Sequence, residues 1–223
     1  MAYYDLGAYT RRITTTSPDA QLWFDRGLNW LFGYNHEESI ACFNRALEQD
    51  PACAMAHWGV AYAAGPNYNL PWHLYDPAGK AKALATAHDA MQLALAHAGS
   101  ATPLEQALIQ ALPTRYPQRE PIEDQSAWDT AFADAMRAVF KANRDDLDVR
   151  CVFAESIMNL TPWQMWDLET GGAAPGAGTA EAVEVLESGF RDIAASWDHP
   201  GLLHLYVHLM EMSPFPQRAL RAG

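Results

Sequence analysis

Between Ala20 and Pro51 the chain reads AQLWFDRGLNWLFGYNHEESIACFNRALEQDP, and this stretch constrains the fold more than any other. Trp23, Gly27, Trp30 and Leu31 recur at three- and four-residue steps, which sets them on one face of a helix. Gly33 and Asn35 interrupt the pattern. Ile40, Phe43, Ala46 and Leu47 then resume it, and Pro51 closes it because a proline cannot continue a helix. The stretch predicts two helices folded against each other, with large residues where helices stack and small ones where backbones approach closely.

Counted from Ala20 as the first position of a 34-residue unit, Trp23, Gly27, Trp30, Ser39, Phe43, Ala46 and Pro51 fall at positions 4, 8, 11, 20, 24, 27 and 32. That register resembles the tetratricopeptide repeat. The fold class it implies is all-α, a tetratricopeptide-like helical repeat of the α-solenoid or superhelix kind. Residues 1–18 read as an irregular lead-in and 19–223 as one helical domain, with the clear repeat at 20–53. Ser17 or Asp19 is suited to cap the first helix, and Asn35 the second, where Glu37 and Glu38 favour the positive end of the helix dipole. A helix follows over 52–64, then an insertion at 65–77 far longer than a repeat turn. Helices are predicted at 78–98, from Thr102-Pro103-Leu104-Glu105 onward as a capping box, and at 126–143, 147–159, 180–196 and 200–212. Three prolines mark 113–125 as a linker, and Gly, Ala and Pro make 169–179 a flexible connection. No stretch reads as a strand. The last residues, from Pro216, look like a helix cut short, as in a fragment or a shortened relative of a longer protein.

A net charge of −12 with only 15 basic residues, scattered along the chain, argues against nucleic acid or an anionic membrane as partner. The N-terminus lacks the apolar segment of a secretory signal, and no run approaches the ~20 apolar residues of a membrane span. Cys42, Cys53 and Cys151 have no C-x-x-C spacing and suit a reducing compartment as buried residues, so the expected location is cytoplasmic.

Chemistry is concentrated at 198–211, DHPGLLHLYVHLME. On a helix starting near Pro200, His204, His208 and Glu211 lie at i, i+4 and i+7, within about 60° of one another. Two imidazoles one turn apart can chelate a metal, with a carboxylate on the same face as third ligand or base. His199, His57 and His36 are further candidate ligands. The ion would be a divalent transition metal, and the ligand types do not choose between Zn, Cu, Fe and Mn. The other reading makes these histidines structural or groove-lining. Asn67, Tyr68, Asn69 and Trp72, in the long loop, either present polar and aromatic groups to a ligand or hold the loop's own turns. No nucleotide cradle, nucleophile elbow or H-E-x-x-H occurs, so no nucleotide or dinucleotide cofactor is expected and no catalytic residue is assigned. The Lys and Asn with which tetratricopeptide domains grip a chaperone's C-terminal carboxylate are replaced here by Phe24 and Leu28.

Beyond the repeat, the chain resembles a family of large tetratricopeptide-repeat proteins from microbes. The resemblance runs through residues 22–47, 53–72, 145–166 and 198–214, and DHPGLLHLYVHLMEMSP is its most specific block. Members continue past the equivalent of Gly223 into further helices with a His-rich G-H-L-x-H-M-P-x-H segment, so a metal site built between two halves would be only part-present here. The family carries no settled activity that the resemblance would transfer. The sequence therefore predicts an adaptor or accessory factor that holds a protein segment or small molecule in a concave groove. The alternatives are a metal-dependent oxidoreductase or hydrolase at His204, His208 and Glu211, and a truncated inactive relative.

Overall fold

The computed structural model describes residues 3–223, so Met1 and Ala2 of the expected lead-in fall outside the described residues. Within them the chain forms nine α-helices and no strands, the only bridges being the isolated pairs Asn67–Leu70 and Trp166–Ala173. The helices are α1 (Pro18–Phe32), α2 (His36–Gln49), α3 (Ala54–Ala64), α4 (Pro77–His97), α5 (Pro103–Arg115), α6 (Ser126–Ala142), α7 (Leu147–Met158), α8 (Thr179–Asp192) and α9 (Pro200–Met210).

Most helix starts are written in the local sequence. Ser17 accepts from the Ala20 N–H at 3.2 Å and Asn35 from the Glu38 N–H at 3.2 Å, each satisfying one donor that a first turn leaves open. Thr102 and Glu105 form the reciprocal capping box. Two ends differ from expectation. Helix α5 runs through Pro113 to Arg115, since a proline in the last turn removes one bond without stopping the helix. Helix α8 stops at Asp192 rather than 196, because Ile193 is extended and the Ser196 hydroxyl turns back to the Gly189 carbonyl at 3.1 Å.

Consecutive helices pack on one another, and the array also closes across itself: α1 meets α3 and α9, α3 meets α5, and α7 meets α9. Every residue of α3 is buried, as is α7 from Asp148 to Met158. A helix buried on all sides lies at the centre of a helical array. Helices α3 and α7 therefore lie inside the array, with the other helices packed around them.

The lead-in is structural. Glu105 accepts from the Thr14 N–H (2.8 Å), the Thr14 hydroxyl (2.6 Å) and the Thr102 N–H (2.8 Å). Burial alone would raise the Glu105 pKa, but these bonds outweigh it and lower it. Glu105→Gln should cost about 2 kcal/mol, read as a lower urea midpoint at unchanged slope.

Candidate functional site

Two loci collect the side chains singled out by the sequence. The first surrounds α9. His204 donates Nδ1–H to the Phe32 carbonyl at 2.5 Å, and His208 donates Nδ1–H to Glu211 Oε1 at 2.9 Å. Their rings lie 4.7 Å apart, centre to centre. Tyr34, held at φ 58° between α1 and α2, packs on both at 4.6 and 5.7 Å. Tyr68 and Trp163 each stand 5.7 Å from His208. The Tyr34 hydroxyl is buried without a hydrogen bond, and burial followed by the nearby Glu155 carboxylate raises its pKa. Glu155 accepts 2.6 Å from Tyr62, while its Oε1 has no partner.

The structure does not bring all six predicted metal ligands together. Glu211 sits at the end of α9 and orients His208 through its ring, instead of projecting beside the two imidazoles as a third arm. His36 also packs on Tyr34, 5.5 Å between rings, donates Nδ1–H to the Tyr34 carbonyl at 3.2 Å, and is pushed down in pKa by burial. His57 stands elsewhere, bonded to the Pro51 carbonyl at 2.9 Å and stacked on His97 at 5.6 Å. His199 is fully buried as the cap of α9, with Nδ1 accepting from the Leu202 N–H at 3.1 Å. A ring nitrogen that accepts a backbone proton has no lone pair left for a metal. Among the described residues no three His, Cys, Asp or Glu side chains are arranged to hold a metal ion.

The second locus is the long loop. Asn67 Oδ1 accepts from the N–H groups of Asn69 and Leu70, both at 3.0 Å, which closes the loop's own turn. Asn69 is exposed. Tyr68 is buried against Trp163, 5.1 Å between rings. Behind the loop Arg115, 1% exposed, donates to the Pro66 carbonyl at 2.5 Å and lies over the rings of Tyr62 and Phe132 at 4.5 and 4.8 Å. The Pro66 carbonyl bond, these cation–π contacts and the nearby Glu155 and Asp129 carboxylates compensate for its burial. The loop is thus fixed in place, and it leaves Trp72 beside a cleft of about 460 Å³ shared with Asn159, Asp129, Glu123, Asp124 and Lys80. Trp72 and Asn159 are 4% and 9% exposed, and neither Trp72 Nε1 nor Asn159 Oδ1 has a hydrogen-bond partner. Burial raises the Asp129 pKa to about 6, with Arg115 opposing and Asp124 adding to the rise.

Of these cleft residues only Trp72 stood out in the sequence. Asn159, Asp129 and Lys80 belong to α7's end, α6 and α4, and no local spacing announces that distant segments will meet. No protein-family model matches this chain, and no curated protein or solved structure matches it either. No helix among the described residues is long and apolar enough to cross a membrane.

Proposed function

We propose that this chain is a tetratricopeptide-like accessory protein that binds a small molecule or short protein segment in the cleft between the 65–77 loop and helices α6 and α7. One observation carries the reading: two residues that line one cleft, Trp72 and Asn159, hold a buried indole N–H and a buried amide oxygen, both unpaired. Buried polar groups are paired in the great majority of cases, and an unpaired one costs about 1–3 kcal/mol. A cleft of this volume falls in the range of small-ligand sites. Trp72→Phe removes the N–H and keeps most of the ring. It should leave the melting temperature unchanged or slightly higher, because no existing bond is lost. Fragments that bind the parent in ligand-observed NMR should bind the variant roughly 5–10-fold more weakly, the worth of one hydrogen bond. Fragment binding indifferent to both Trp72→Phe and Asn159→Ala would place the ligand elsewhere.

A second reading, metal-dependent chemistry at α9, is favoured by a separate observation. His204 and His208 both have Nδ1–H committed to an oxygen acceptor, which fixes the tautomer and leaves each Nε2 lone pair open. Metal analysis of tag-free protein beside a folded His204→Ala/His208→Ala variant tests it; metal retained by the variant would remove these residues from the reading.

A further inference from the structure

The charges around the cleft narrow the class of ligand, an inference that rests on the binding reading above. Glu123, Asp124 and Asp129 line it with a single cation, Lys80, whose ammonium already meets Gln125 Oε1 at 3.3 Å. Carboxylates of one sign in a partly enclosed space favour a cation and repel a second anion. The two orphan atoms add direction to this charge. Asn159 Oδ1 can only accept and Trp72 Nε1–H can only donate. A ligand that answers both carries a donor, made cationic by the acidic lining, and an acceptor. We propose that the cleft binds a protonated amine beside an oxygen acceptor, an aminoacyl head, with the ammonium received by Asn159 and Asp129 and the oxygen by the Trp72 indole. A free amino-acid amide and a peptide N-terminus share that chemistry.

Protonation of the site then opposes binding. Asp129 faces Asp124 and Arg115, with Glu123, Lys80 and His73 lining the same cleft. As pH falls through about 6 the Asp129 carboxylate is neutralised and one attraction for the cation is lost.

Calorimetric titration of the full chain with phenylalaninamide, its N-acetyl derivative and the dipeptide amide Phe-Ala-NH2 tests the inference. The free amines should bind at least about tenfold more tightly than the acetylated form, since a charge-assisted bond is roughly twice as strong as a neutral one. Asp129→Asn, checked for helicity, should lose about tenfold for the amines and nothing for the acetylated probe. Tight binding of the dipeptide amide assigns the site to protein N-termini; binding of phenylalaninamide alone assigns it to a free small molecule, and either supports the proposal. Equal binding of the acetylated probe, or amine binding unmoved by Asp129→Asn, overturns it. If no amine binds at millimolar concentration while fragment hits still weaken in Trp72→Phe, the amine inference fails and the cleft stands. Without fragment hits as well, both fail.

Discussion

Asp148→Asn is expected to lower the unfolding free energy by about 3 kcal/mol, the lower part of the range for breaking a buried ion pair. Asp148 is 7% exposed and sits among three donors. Arg11 Nη1 lies 2.5 Å from Oδ2, and the Tyr9 hydroxyl donates to Oδ1 at 2.7 Å. His199, whose Nδ1 is occupied by the Leu202 N–H, holds its proton on Nε2, 3.4 Å from Oδ1. Arg11 also reaches Asp146, which caps α7, and His199 caps α9, so one carboxylate ties the lead-in to the starts of two helices. The loss stays below the top of the range because Arg11 keeps Asp146. Burial by itself would raise the Asp148 pKa; the His199 bond, the Arg11 charge and the Tyr9 bond outweigh it and bring it down to about 2. A folded-state pKa below the unfolded value of about 3.9 means stability that is complete above pH ~4 and lost as pH falls toward 2. The shift corresponds to about 2–3 kcal/mol. Urea unfolding at pH 7 and pH 3 reads both effects: the variant should be weaker at pH 7 and should show a smaller loss on acidification. An unchanged midpoint at pH 7 would mean that the network contributes nothing.

How much of this was legible in the sequence depends on distance along the chain. The caps at Ser17, Asn35 and Thr102 are short-range devices, and they appear where the sequence put them. The burial of α3 on all sides was not read from the sequence, although its residues other than His57 are apolar or small. The site was legible only in part. The i, i+4 spacing of His204 and His208 correctly sets their rings side by side. It does not reveal that the nearest acceptor for His204 is the Phe32 carbonyl, an atom of the first helix. His199 resembled a fourth ligand because it flanks the pair, yet the residue before a Pro-initiated helix is a cap position, and capping takes its lone pair. The buried Arg115 and the cleft atoms of Asn159 and Asp129 arise from contacts between remote segments.

The second large effect is expected at Phe43, where the spacing of small and large residues between Gly27 and Gly59 has a physical cause. Phe43 is fully buried between α1 and α3, with Phe24 at 5.3 Å between rings. A Cβ added at Gly27 would stand 2.6 Å from the Phe43 ring, and one at Gly59 2.7 Å from it. Both distances are far inside van der Waals contact, so each helix approaches the ring across a glycine. The Ser39 hydroxyl, donating to the Gly27 carbonyl at 2.7 Å, holds α1 and α2 at that spacing. Phe43→Ala should therefore cost about 4 kcal/mol through lost burial and a cavity. Gly27→Ala should cost about 2 kcal/mol by overpacking, against the roughly 1 kcal/mol that alanine gains over glycine inside a helix. The decisive variant is the double one. With the ring removed, the methyl that Gly27→Ala introduces has room and fills part of the cavity. The double variant should then be more stable than the sum of the single losses allows, by about 1–3 kcal/mol. Chemical denaturation of the four proteins closes the cycle. Strict additivity would show that the glycine is not there to admit the ring, and the small residue at position 27 would need another cause.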